Sequence, residues 1–253
     1  MKLIDKFAQI NKNIAIEKSR SISNQKIISL LDLTLLDTDA SADSINLLQQ
    51  KGCNNNVAAL CILPQHLYLL NNPLSVKSAT VVNFPTGSEP QADVLAMISK
   101  IIADYDIDEI DYVFDYKDYL AGDKKRSLIN CEQNYQLCKE HGVKFKVILE
   151  TGALPSISSI YQLSREVIET GCDFIKTSTG KIKTGATPEA TFAMLMAIKD
   201  SETDCGLKIS GGVRKKSQAL EYINLAEKVL NRRVNNQWFR IGASSLIDEL
   251  LDN

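Results

Sequence analysis

Residues 172–185 read CDFIKTSTGKIKTG, and the lysine in that run decides how the rest of the chain is read. Phe174 and Ile175 form a short apolar run, preceded by Gly171 and released into threonines, a serine and Gly180. A run of this kind bounded by glycine is the signature of a buried strand. Lys176 follows at once, where that strand would leave the core. Two readings stand side by side. The lysine methylenes can cover apolar neighbours while the ammonium reaches water, or other strands deliver complementary groups to the same place and the amine does chemistry.

Working outward, the same strand-then-helix unit recurs along the chain. Strands are expected from Ile27, Ile28, Leu30 and Leu31, opening at Asp32 and Thr34, and over residues 57–62, 76–84, 109–114, 145–149, 173–177, 207–210 and 238–241. Between them lie helical patterns. One follows Ser41 and ends at Gly52; another starts from a Ser88/Gln91 capping pair and runs to about residue 104. Others span 125–140, 155–169 closed by Gly171, 187–200 with Thr187 as cap and Pro188 at the first position, and 216–230. Residues 117–122 read as a short excursion, and a short helix ends the chain. Residues 2–18 carry apolar groups at helical spacing, so 1–20 reads as an N-terminal capping helix.

Eight such units in about 225 residues, without a compositional break, match an α/β fold in which a single (β/α)8 TIM barrel spans 1–253. The rival is a doubly wound sheet. Its glycine-rich phosphate fingerprint is missing, because the first strand runs into DLTLLD. A barrel gathers the C-terminal ends of its strands on one face, so Asp111, Lys176 and Lys208 become neighbours if each points inward. Two neighbouring lysines disfavour each other's protonation, and burial lowers lysine pKa further. A lysine at the ordinary value of about 10.4 offers almost no free amine at neutral pH, and only the free amine attacks a carbonyl. Two lysines with one acid to relay protons therefore suggest Schiff-base chemistry. The alternative is structural: Asp111 pairs with Lys146 as a barrel salt bridge, and Lys146 is held by Asp32 or Glu150. Asp32 and Thr34 either orient substrate hydroxyls or tie down the opening loop. Gly180 beside Lys181, Gly211-Gly212 beside Arg214, and Gly242 before Ser244-Ser245 are turns, or a place where backbone N–H groups meet a phosphate.

The bulk properties narrow the classes. With 44% hydrophobic and 24% charged residues the chain can build a large core and is unlike a disordered one. A net charge of -2 gives no general attraction to nucleic acid or an anionic membrane. The N-terminus lacks the pattern of a secretory signal, which points to the cytoplasm. Six scattered cysteines read as reduced thiols, and with only His66 and His141 as imidazoles no metal centre is expected.

The chain resembles the class I deoxyribose-phosphate aldolases. The matching pieces are LDLTLL at 31–36, CILP at 61–64, VVNFPTG at 81–87 and EIDYVFDY at 109–116. They continue with KVILETG at 146–152, DFIKTSTGK at 173–181, LKISGGVR at 207–214 and RIGASSL at 240–246. The resemblance implies Lys176 as the Schiff-base lysine, Lys208 as the neighbour that lowers its pKa, and Asp111 as the proton-relay acid. It also implies a sugar-phosphate site around Thr179, Gly180, Lys181, Gly211, Gly212, Gly242, Ser244 and Ser245. Asp32 and Thr34 would lie near the sugar hydroxyls and Cys61 beside the pocket. The implied partners are a phosphorylated sugar and an aldehyde, with no metal or organic cofactor. A homodimer is the assembly expected on general grounds, since two-fold dimers are the commonest oligomers. Ile209-Ser210 departs from the proline and alanine of many relatives, and Thr86 from the histidine of some.

Overall fold

The computed structural model describes residues 2–16, 21–71 and 73–252. In chain order the elements are α1 (Leu3–Ile16), α2 (Asn24–Ile28), β1 (Leu31–Leu35), α3 (Ala42–Asn55), β2 (Ala59–Ile62), a 3-10 turn (Pro64–Leu69), β3 (Lys77–Val82) and α4 (Gln91–Asp104). They continue as β4 (Glu109–Val113), α5 (Tyr116–Ala121), α6 (Lys124–Glu140), β5 (Lys144–Ile148), a second 3-10 turn (Thr151–Ala153), α7 (Ile157–Thr170) and β6 (Phe174–Lys176). Last come α8 (Pro188–Ser201), β7 (Gly206–Ser210), α9 (Lys216–Leu230), β8 (Phe239–Ala243) and α10 (Leu246–Asp252). Every strand is parallel to the next, and β8 returns to β1 through Leu31↔Ile241 and Leu33↔Ala243, closing an eight-stranded barrel. Both faces of such strands are buried, which is why they read as near-continuous apolar runs.

Several expected boundaries move, each for a local reason. Ile27 and Ile28 belong to α2 rather than the first strand: the Ser23 hydroxyl accepts from the Lys26 N–H, starts a turn of helix, and both isoleucines are buried from it. Gly52 lies inside α3 and does not end it. A Cβ there would run into the Leu60 side chain, so the glycine lets the helix lie close on β2, and Asn56 ends the helix in the left-handed region at φ 53°. The Ser88/Gln91 pair caps nothing. Pro90 is the residue before α4, the Ser88 hydroxyl donates to the Thr86 carbonyl, and the Gln91 amide donates to Asn134 Oδ1. Residues 117–122 belong largely to α5, closed by Gly122 at φ 109°. The expected Thr187 cap is present, accepting from the Ala190 N–H at 3.1 Å with Pro188 at the first position.

Helix α1 packs on the flank of the helical layer, against α7, α8 and α9, with the Phe7 and Phe192 rings 5.5 Å apart. Its apolar stripe of Leu3, Phe7, Ile10 and Ile14 meets that layer and not an end of the barrel. The expected extension of this segment over 17–20, with residue 1, lies outside the described residues.

Candidate active site

Register and the two-residue period of a strand decide which side chains face the barrel interior. The pairings Asp32↔Ala59, Cys61↔Ala79, Val81↔Asp111, Asp111↔Lys146, Ile148↔Lys176, Lys176↔Lys208 and Lys208↔Arg240 carry one inward set around the barrel. Two unlike walls result. On β2 and β3 the interior is small and apolar: Ala59, Cys61, Ala79 and Val81 pack together with Leu63. That leaves room for long charged side chains from β1, β4, β5, β6, β7 and β8.

Those charged groups form one connected network. Lys176 Nζ and Lys208 Nζ both lie 2.7 Å from Asp111 Oδ2, so the two nitrogens can be no further apart than twice that distance. Lys146 Nζ lies 2.8 Å from Asp111 Oδ1, 2.6 Å from Glu109 Oε2 and 3.7 Å from Asp32 Oδ2. Lys208 also reaches Asp32 Oδ2 at 2.6 Å, and Arg240 bridges Asp32 at 2.6 Å and Glu109 at 3.0 Å. Three carboxylates (Asp32, Glu109, Asp111) thus face four basic groups (Lys146, Lys176, Lys208, Arg240). A buried set of this kind is closest to neutral when one of the four loses its proton.

Which of the four gives up its proton most easily is decided by position. Lys176 is the last residue of β6; two residues earlier Phe174 faces the interior, with the Arg240 guanidinium 5.6 Å from its ring centre. Gly206 leaves space for that ring, since a Cβ there would come within 2.5 Å of it. The aromatic ring fills the level below, and the Lys176 ammonium finds only Asp111. Burial lowers the Lys176 pKa; Asp111 opposes this, and the Lys208 ammonium adds to the lowering, leaving a net fall. For Lys208 burial acts in the same direction but is outweighed by Asp111 and Asp32, so its pKa rises. Lys146 likewise rises, since Asp111, Glu109 and Asp32 together overcome its burial. Burial would raise Asp111, yet Lys146, Lys176 and Lys208 hold it well below the usual carboxylate range. Burial pushes the Cys61 thiol up, which disfavours a thiolate.

The expected catalytic trio therefore converges, together with Asp32 and Cys61. The pairing of Asp111 with Lys146 is present as well, so the structural and chemical readings of Asp111 describe two oxygens of one carboxylate. Lys146 is held by Asp32, as one alternative had it, but not by Glu150, whose carboxylate turns to the Thr179 hydroxyl at 2.5 Å. Thr34 is half-buried and its hydroxyl donates to the Asp32 carbonyl at 2.8 Å, tying its own strand. Gly180, Gly211 and Gly212 have φ of 78°, 88° and 95° in adjoining loops at the barrel mouth, where a Cβ on Gly180 would stand 3.8 Å from the Gly211 Cα. Lys181 Nζ donates to the Leu36 carbonyl at 2.9 Å across the mouth. Gly242 lies within β8, where an added Cβ would stand 3.2 Å from Lys208 Cε; Ser244 and Ser245 are exposed just beyond. Glu109 and Arg240 were missed as members of the site. A signal existed: each stands two residues before a position already singled out, Asp111 and Gly242, and so on the same face of its strand.

A cavity of about 510 Å³ opens at the other end of the barrel, lined in part by Lys77, Asp108, Gln237 and the back of Arg240. It holds none of the three convergent groups, and active sites of this architecture sit at the C-terminal ends of the strands. Among the described residues, no set of His, Cys, Asp and Glu side chains is arranged to hold a metal ion, and no helix is long and apolar enough to cross a membrane.

Comparison with known proteins gives a sequence model described as DeoC/LacD family aldolase, matching residues 26–246. Among solved structures, the deoxyribose phosphate aldolase from Aeropyrum pernix, described as tetrameric, superposes with a TM-score of 0.79 at 23% identity, over 97% of this chain and 96% of that one. A candidate deoxyribose-phosphate aldolase from Coccidioides immitis gives 0.81 at 18% identity, over 100% and 98%. Another from Toxoplasma gondii ME49 gives 0.82 at 18%, over 90% and 93%. At these identities the structural likeness shows a shared fold.

Proposed function

The chain belongs to the DeoC/LacD aldolase family, and from that premise we propose that it cleaves 2-deoxy-D-ribose 5-phosphate reversibly to acetaldehyde and D-glyceraldehyde 3-phosphate through a Schiff base on Lys176. One observation carries the reading: of two buried lysines sharing Asp111 Oδ2 at 2.7 Å, only Lys176 has its pKa lowered, and it is the one at the strand end.

The neutral Lys176 amine attacks C1 of the open-chain sugar to give a carbinolamine. Lys208, held protonated by its carboxylates, donates to the departing hydroxyl, which leaves as water, and the iminium forms. As Nζ turns to the substrate, Asp111 loses one of its three cations and becomes a better proton acceptor. Removal of the C3 hydroxyl proton breaks the C2–C3 bond, with the electron pair drawn into the iminium as an enamine. Glyceraldehyde 3-phosphate departs, the enamine carbon is protonated, and hydrolysis releases acetaldehyde and the free lysine. Gly180, Lys181, Gly211, Gly212, Gly242, Ser244 and Ser245 form the phosphate end of the site, and Asp32, Thr34 and Cys61 line the sugar end.

The test is reductive trapping. Incubation with acetaldehyde and borohydride, followed by peptide mass mapping, places the two-carbon adduct on Lys176; an adduct confined to another lysine rejects the assignment. Offering dihydroxyacetone in parallel tests the donor. Efficient condensation with dihydroxyacetone and none with acetaldehyde would keep the Schiff base and replace the substrate.

A further inference from the structure

Glu150 takes no part in the chemistry above, yet it is fully buried at the barrel mouth and is a non-glycine residue in the left-handed region, at φ 52° and ψ 57°. An L side chain in that conformation is disfavoured unless its surroundings hold it. What holds it is the loop that follows Lys176. Glu150 Oε2 accepts from the Thr179 hydroxyl at 2.5 Å, and its two carboxylate oxygens lie 3.3 and 3.4 Å from the Thr179 N–H. The same Thr179 hydroxyl oxygen accepts from the Lys181 N–H at 3.1 Å, so one side chain links the carboxylate to the backbone on both sides of Gly180. The opposite side of the loop is fastened to β7, where Ser210 Oγ donates to the Ser178 carbonyl and Thr177 Oγ1 donates to the Ser210 carbonyl. Thr179 thus has its donor and one acceptor site engaged inside the protein, and it is 7% exposed. It is a tether for the loop more than a ligand for substrate.

We propose that Glu150 is a positioning residue that sets specificity for a phosphorylated substrate, through Thr179, by fixing the Gly180-Lys181 backbone at the barrel mouth. This rests on the reading of that loop as the phosphate end of the site. The loop's hydrogen bonds are preformed, so its N–H groups lose little freedom when an anion arrives. A carboxylate suits this position because it accepts two donors from one residue, and a hydrogen bond to a charged group is stronger than one between neutral groups. Lys176 and Lys208 both donate to Asp111, and neither makes a hydrogen bond with the Glu150–Thr179 pair. Lys176 reaches Glu150 through charge alone, and that influence on the Glu150 carboxyl is smaller than those of burial and of the Thr179 hydrogen bonds.

Glu150→Gln removes the charge that strengthens one end of the tether, Thr179→Val removes the other end, and Thr179→Ser keeps the hydroxyl. Each variant is assayed for cleavage of 2-deoxyribose 5-phosphate and of unphosphorylated 2-deoxyribose, and for borohydride trapping of acetaldehyde on Lys176. For Glu150→Gln and Thr179→Val we expect KM for the phosphorylated sugar to rise about tenfold, and for Glu150→Gln trapping and the unphosphorylated reaction stay within about twofold of the parent. Thr179→Ser restores KM. The proposal is overturned if phosphorylated and unphosphorylated substrates fall together, if trapping is lost with them, or if KM does not move. A parent protein that traps no acetaldehyde at all refutes the proposed function instead. If Glu150→Gln proves too unstable to assay, the Thr179→Val and Thr179→Ser pair decides alone.

Discussion

Lys146 and Lys176 are the same residue type, in adjacent strands, bonded to opposite oxygens of one carboxylate, and they hold their protons with opposite strength. Burial does not distinguish them, since Lys146 is 0% and Lys176 3% exposed. Surroundings do. In the middle of the barrel Lys146 lies against three carboxylates, at 2.6, 2.8 and 3.7 Å. At the mouth Lys176 has a single carboxylate, already shared with two other ammonium groups. A barrel interior can thus hold one residue type as a firmly protonated cation and as an amine that gives up its proton more easily, the difference lying in how many acids each amine faces.

The largest expected effects come from removing the two lysines in turn. Lys176→Met should abolish trapping and lower kcat by at least about 10⁴-fold, the loss expected for a nucleophile, with little change in thermal stability. Lys146→Met should do the reverse in kind: it leaves Glu109 and Asp111 short of a buried partner and costs about 3–5 kcal/mol of stability, read by denaturant or thermal unfolding. A catalytic collapse without destabilisation in Lys146→Met would break the comparison.

Next in size is Lys208→Met. Loss of the neighbouring ammonium, and a larger share of Asp111 for Lys176, both raise the Lys176 pKa. Activity needs the neutral amine and so rises with pH through that pKa. The acid limb of kcat/KM should therefore move to higher pH, with a loss of about 10- to 100-fold at pH 7 that alkaline pH partly restores. A smaller shift of opposite sign is expected for Glu109→Gln. Lys146 then leans harder on Asp111 and the network gains positive character, so the acid limb moves to lower pH by less than about one unit. The smallest effect belongs to the other wall of the barrel. Cys61→Ala changes a residue among Ala59, Ala79 and Val81 whose thiol is disfavoured as a thiolate, and kcat should stay within about threefold of the parent.

Much of this was legible in the sequence, and what was not had definite causes. The strand and helix units of the barrel could be read because buried parallel strands are apolar runs punctuated by glycine, as at Phe174-Ile175. Ile27-Ile28 misled because a short apolar run has no period of its own, and a serine cap three residues upstream of Lys26 turned it into helix. Gly52 misled because glycine both ends helices and permits close packing, and only the position of Leu60 tells which. Lys176, Lys208 and Asp111 were legible as one group only after a barrel was assumed. The assignment of protons among them came from the resemblance and not from the residues themselves. In the structure it turns on Asp32, which stands 2.6 Å from Lys208 and makes no ion pair with Lys176, and no motif announces where that carboxylate ends.

The most direct measurement is an NMR titration of the lysine Nζ groups in the resting protein, labelled with ¹⁵N-lysine and assigned with Lys176→Met, Lys146→Met and Lys208→Met. Lys176 should lose its proton at a midpoint below the ordinary lysine value of 10.5, while Lys146 and Lys208 remain protonated beyond it. A Lys176 midpoint at or above 10.5, or Lys208 releasing its proton first, would contradict the account.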